Sequence, residues 1–206
     1  MEILLQQPSY KDKDSHSEKK RNNSSDKLLW NSFKEGSRKS FHYIYDQNFE
    51  KLLRYGLQFS SDQALVEDQI HELFIYLWKR KEHLDIQGSI TVYLFWSLRN
   101  RIIKYMKAYR EVAIDNDKEL IESDEPFFDE HKYESLSKAL QSLPPKQREV
   151  LTLRYFQNLD GEEIASIMNI TIGATYNLIS RAIMNLKSKI SIFMMLVALL
   201  SYIVLR

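Results

Sequence analysis

Apolar side chains recur at three- and four-residue steps along most of the chain, separated by short polar breaks. Leu28, Leu29 and Phe33 precede a break at Gly36–Ser37, after which Phe41, Ile44, Tyr45, Phe49, Leu52 and Leu53 continue the step to Gly56. Beyond Ser60–Ser61–Asp62 a second series runs Leu65, Ile70, Leu73, Phe74, Leu77 and Trp78. A third, after the loop around Gln87–Gly88–Ser89, runs Leu94, Leu98, Ile102 and Tyr105 or Met106. This spacing gathers apolar residues on one stripe of a helix, so it predicts three helices sharing a core. Residues 1–25 have no hydrophobic period and read as a disordered N-terminal arm.

A second patterned block follows residue 135. Leu143–Pro144–Pro145 ends a short helix, and KQREVLTLRYFQN gives the next one a mixed apolar face. The stretch GEEIASIMNITIGATYNLISRA, starting at Gly161, reads as a helix-turn-helix. Ala165 is small where two helices cross, and Ile164 and Met168 are apolar where the first helix meets the core. Asn169 stands at the turn, where a left-handed residue is needed and Asn is better tolerated than most. Ile170 plugs the turn, and Thr171 can cap the second helix through its side-chain oxygen. Leu178, Ala182 and Leu186 seat that helix. Its exposed face would then hold Gly173, Tyr176, Asn177, Ser180 and Arg181, of which Asn, Ser and Arg can hydrogen-bond base edges in a major groove. An αα-hairpin used only for packing is the competing reading.

Composition changes the picture in two ways. The 206 residues include no cysteine, which excludes disulfides, thiolate chemistry and sulfur-ligated metal sites. Only five glycines and four prolines argue against a many-turned β-fold and for an all-α one. The formal charge of +1 suggests indifference to nucleic acid until it is divided along the chain. Residues 1–25 then carry +1, residues 26–110 +4, residues 111–135 −8 and residues 136–206 +4. Two basic blocks are joined by an acidic stretch that reads as a solvated linker. On the third predicted helix Arg99, Asn100, Arg101, Lys104, Lys107 and Arg110 alternate with Tyr93, Phe95, Trp96, Tyr105 and Tyr109, a pairing suited to phosphates and unpaired bases. The second helix carries the acidic-amide patch Glu67, Asp68, Gln69 and Glu72.

These residues together resemble the extracytoplasmic-function (ECF) group of the bacterial sigma-70 family, the promoter-recognition subunits of RNA polymerase. LLWNSFKEGSRKSFHYIYDQNFEKLLRYG, VEDQIHELFIYLW and YLFWSLRN resemble successive parts of sigma region 2. Leu143–Pro144, Arg148, Glu163–Ile164–Ala165 and Arg181–Ala182 resemble region 4. The resemblance implies region 2 at residues 26–110, a linker at 111–135, region 4 at 136–190 and an apolar tail at 191–206.

It also implies roles. Asp68, Gln69, Glu72 and Leu73 would dock on core RNA polymerase. His83, Asp85, Gln87 and Ser89, in a loop that captures a flipped base, would meet the −10 element with Arg99, Asn100, Arg101 and Lys104. Thr171, Gly173, Ala174, Thr175, Tyr176, Asn177, Ser180 and Arg181 would read the −35 element. The implied partners are core polymerase, promoter DNA and a membrane-bound anti-sigma regulator, with no cofactor and no metal. The family often enters its recognition helix with Thr-Val-Lys and a further basic residue. Here Ala174, Thr175, Tyr176 and Leu178 stand instead, leaving Arg181 and Lys187 as the main cations.

Two alternatives stay open on sequence. One is a helix-turn-helix regulator that binds duplex DNA without polymerase. The other is an enzyme built on Asp124, Glu125, Asp129, Glu130 and His131, which lack ligand spacing. The short apolar run Ile3–Leu5 does not form a secretory signal, so a cytoplasmic protein is expected. The uncharged run from Ile190 to Leu205 is sixteen residues, short of the ~20 that span a bilayer, and suits weak membrane association or a partner helix.

Overall fold

The computed structural model describes residues 26–86, 89–115 and 139–204. Among them every regular element is helical, as the three- and four-residue steps predict. Helix α1 covers residues 26–34 and stops at Gly36, whose φ of +90° reverses the chain as few other residues could. Helix α2 (Arg38–Gly56) starts on Ser37, whose hydroxyl accepts from the Ser40 backbone N–H. Helix α3 (Gln63–Arg80) starts in the same way on Asp62, whose carboxylate accepts from the Leu65 N–H at 3.0 Å. Helix α4 spans Ile90–Asp115 and so runs five residues past Arg110 into the acidic stretch. The remainder of that stretch and the N-terminal arm lie outside the described residues.

The predicted stripes form the first core. Leu52, Val66, Ile70, Leu73, Phe74, Leu77, Leu94, Leu98 and Ile102 are all buried. At its α1 end an aromatic group closes the bundle, with ring centroids 4.8 Å apart for Trp30–Phe33 and 5.2 Å for Phe41–Trp78. Each such pair adds about 0.5–1.5 kcal/mol beyond burial. Gly56 sits where α2, α3 and α4 converge: a Cβ there would collide with Val66 Cγ1 and lie 3.3 Å from Ile102 Cδ1.

The second unit opens with a helical turn at residues 139–141 and helix α5 (Pro145–Leu151). Proline stands first in α5, where no backbone donor is missed. A π-helical turn, Thr152–Phe156, continues it. Helix α6 (Gly161–Met168) and helix α7 (Ile172–Val204) follow. The two units touch: α4 packs against α6 as well as against α2 and α3, and the buried side chains form one continuous cluster.

Candidate nucleic-acid interface

The helix-turn-helix is built as its residue types dictate. Asp160 caps α6, accepting from the Glu162 and Glu163 backbone N–H groups at 2.9 Å each. The Glu163 carboxylate in turn accepts from the Asp160 N–H at 2.9 Å, closing a capping box. Asn169 adopts the left-handed conformation (φ 54°, ψ 52°) and ends α6, with the Ile170 N–H reaching back to the Ala165 carbonyl. Thr171 then caps α7 through an Ala174 N–H to Oγ1 bond of 3.2 Å. Ile164, Ala165, Met168 and Ala182 are buried between the helices.

This seating decides which side chains of α7 face outward. Thr171, Gly173, Ala174, Tyr176, Asn177, Ser180 and Arg181 are exposed. Thr175 is not. It is fully buried, with its hydroxyl on the Thr171 carbonyl at 3.1 Å, so it packs the helix rather than offering itself to DNA. Tyr176 is 56% exposed yet lies across the start of α6, where a Cβ on Gly161 would stand 2.7 Å from its Cζ. Gly161 therefore sets how closely this ring approaches the turn.

On the first unit, Asp68 and Glu72 are exposed on α3 and Gln69 is half-buried. Leu73 is 1% exposed and belongs to the core, as its place on the apolar stripe of α3 requires, and it floors the groove between α3 and α4. Gln69, Asn100, Arg101 and Lys104 line a groove of about 540 Å³ between α3 and α4, walled by Tyr76, Tyr93, Trp96 and Tyr105. The Arg101 guanidinium lies 5.4 Å from the centre of the Tyr76 ring, a cation–π contact that holds it at the groove wall. Burial raises the Tyr93 phenol above its ordinary pKa. Sequence reasoning placed Trp96 and Tyr105 among the cations, but Tyr76, on the neighbouring helix, enters only through the fold. His83 and Asp85 are exposed beyond α3, and Ser89 is half-buried before α4. Gln87 lies outside the described residues.

Arg99 departs most from expectation. Its side chain is 14% exposed and donates from Nε to Glu149 Oε1 at 2.7 Å, across fifty positions of sequence. The same Glu149 oxygen accepts from the Tyr55 hydroxyl at 2.7 Å. Burial pushes the Tyr55 phenol well above its usual range, and the Glu149 charge pushes it further. Burial alone would lower the Arg99 pKa, but the hydrogen bond and charge of Glu149 outweigh it and the net direction is up. Arg99 is thus committed to the second unit, not held out for phosphate.

Among the described residues no three His, Asp or Glu side chains gather as a metal site. Asp124, Glu125, Asp129, Glu130 and His131 lie outside those residues. Nor, among the described residues, is any helix long and apolar enough to cross a membrane.

Comparison with known proteins matches residues 44–111 to the sigma-70 region 2 model and residues 133–186 to the sigma-70 region 4 model. The chain is 30% identical over 152 residues to the ECF RNA polymerase sigma factor SigM of Bacillus subtilis, covering 70% of this chain and 91% of SigM. It is 25% identical over 158 residues to a probable RNA polymerase sigma factor of Haemophilus influenzae, covering 65% of this chain and 81% of the other. Among solved structures, the fold is similar to the sigma factor RpoE crystallised with the anti-sigma factor NepR from Bartonella quintana. There the TM-score is 0.64 at 23% identity, over 74% of this chain and 98% of that one.

Proposed function

This chain belongs to the sigma-70 family as a sigma factor of the ECF group, and from that premise we propose how its own residues carry out promoter recognition. A sigma factor binds core RNA polymerase and directs it to promoters; it is not itself an enzyme, so bond making belongs to the polymerase. The match to region 2 removes the reading of a regulator that works without polymerase.

The observation that carries the proposal is the division of α7 into a packed face, with Thr175 and Ala182, and an open face with Asn177, Ser180 and Arg181. With its N-terminal end in the major groove, that open face reads the −35 duplex through base edges, and Tyr176 adds apolar contact. At −10 the bases must leave the stack, at a cost of a few kcal/mol that polymerase wrapping offsets. The aromatic-walled groove suits the opened strand, with Arg101 and Lys104 on phosphates and Asn100 near an unpaired base. The exposed His83 and Asp85 and the half-buried Ser89 border the same loop. Asp68 and Glu72, with Gln69 beside them, form the polymerase-facing patch of α3.

The site of action is the cytoplasm, with polymerase and promoter. An anti-sigma regulator is the partner class expected to hold the chain in reserve, as a sigma factor of similar fold has been crystallised with one. The apolar run from Ile190 to Leu205, between Lys189 and Arg206, adds weak membrane association. Flotation with anionic vesicles, lost on deleting residues 190–206, tests that part. For the −10 role, Asn100→Ala should retain polymerase yet fail to open −10 DNA. Wild-type permanganate reactivity there in Asn100→Ala would refute the assignment.

A further inference from the structure

Helix α7 runs unbroken from Ile172 to Val204, with no glycine after Gly173 and no proline. Its 33 residues extend about 50 Å, far more than reading a major groove requires. The two ends differ in chemistry. The face suited to base edges is complete by Arg181. The middle is clamped to its own domain: Ala182 is buried, Asn185 donates to Gln147 Oε1 at 2.8 Å, and Lys189 Nζ donates to the Ser142 carbonyl at 2.6 Å. From Ile190 to Leu205 no charged residue follows. Charge is one-sided as well. From Ile164 onward the chain carries Arg181, Lys187, Lys189 and Arg206 and no acidic residue. At the root of the uncharged run Lys187 is exposed, as is Lys146, one position before Gln147.

We propose that the uncharged end of α7 enters an anionic bilayer along the helix axis, so that the chain holds lipid and promoter DNA at once, one at each end of the same helix. This rests on the weak membrane association and the −35 reading proposed for the chain, and adds their geometry. A helix that lies flat at a membrane surface keeps a charged face toward water. The run from Ile190 to Leu205 has only Ser191, Ser201 and Tyr202 for that role. Its helical part, from Ile190 to Val204, reaches about 22 Å, against about 30 Å for the hydrocarbon layer. Such a shortfall is met by local thinning and by flanking cations reaching outward, which keeps the association weak. Lys146 and Lys187 then stand at the headgroups, where anionic lipid attracts them. Gly173, at the end that enters the groove, lies about 26 Å along the axis from Ile190. Headgroups occupy about 5–8 Å of that, so the DNA stays about two Debye lengths from the lipid charge and is not repelled by it.

The chain has no native cysteine, so single labels can be placed at Ser191→Cys and Ala198→Cys, two turns apart along one side of α7. Quenching by lipids brominated at different depths, in vesicles containing phosphatidylglycerol, measures how deep each label sits. End-on entry should separate the two by about 10 Å in depth, with position 198 the deeper. A helix lying flat gives equal depths. Flotation of the chain with core RNA polymerase and a promoter fragment recovered by run-off transcription should carry the DNA up with the vesicles. Lys146→Gln combined with Lys187→Gln should weaken partition onto those vesicles by about 30-fold, the worth of two surface cations. Equal depths, release of the chain from vesicles by promoter DNA, or undiminished partition of the double variant overturns the proposal. No flotation of the wild-type chain strikes the membrane reading itself, and this proposal with it. Failure to retain polymerase would strike the sigma-factor reading and the joint holding of DNA and lipid, while the depth comparison still decides the mode of entry.

Discussion

Replacing Gly56 by alanine should loosen the three-helix core from its most crowded point. The added methyl would collide with Val66 Cγ1 and stand 3.3 Å from Ile102 Cδ1, and both side chains are fully buried. Neither has solvent to retreat into, so α3 or α4 must move outward. Overpacking of this kind costs about 1–3 kcal/mol. Alanine's better helix propensity returns at most about 1 kcal/mol, and less at the last residue of α2. The net is a loss of about 1–2 kcal/mol, or about 2–8 °C in Tm for a chain of this size. Gly173→Ala is the matched control: nothing lies within 4 Å of a Cβ there, so it should be neutral or stabilising by up to about 1 kcal/mol. Thermal melts followed by circular dichroism at 222 nm measure both. A Gly56→Ala variant as stable as wild type, or a Gly173→Ala variant that loses more than it, would refute the packing argument.

Asp160→Ala removes the cap of α6 and half of its capping box, and urea melts should register a loss of about 1 kcal/mol. Asp68→Lys combined with Glu72→Lys should abolish retention on immobilised core polymerase while moving stability by no more than about 0.5 kcal/mol, since both residues are exposed. Arg181→Ala should lower the salt slope of promoter binding by about 0.9 if it meets phosphate, or remove about 1–3 kcal/mol of discrimination at one position if it meets a base. Binding titrations at several salt concentrations that match wild type on both counts would take Arg181 out of the interface.

Much of this architecture is written locally. The step of apolar positions fixes α2, α3 and α4 because each helix buries a single stripe, and Leu73 lies on that stripe. The family pattern puts Leu73 on a docking surface, while the period of the helix turns its side chain into the core. Thr175 is the same case: it stands three residues before Leu178 and seven before Ala182, the spacing of the buried face. The left-handed Asn169 and the Thr171 cap are legible because single residue types satisfy them. The Asp160–Glu163 capping box carries an equally local signal, an Asp followed three positions later by Glu. Arg99 is of another kind. Nothing near it in sequence hints at Glu149 or Tyr55, because the contact exists only once two separately patterned units meet. Tyr76 joins the groove for the same reason.

The central claim is that this chain delivers core polymerase to promoters through two surfaces, the groove of α3 and α4 and the open face of α7. Run-off transcription with purified core polymerase and a library of genomic fragments tests it most directly. Wild-type chain should produce discrete transcripts whose start sites share paired upstream elements, and those transcripts should disappear with the Asp68→Lys, Glu72→Lys double variant. Transcripts that are no different with and without the chain would contradict the account.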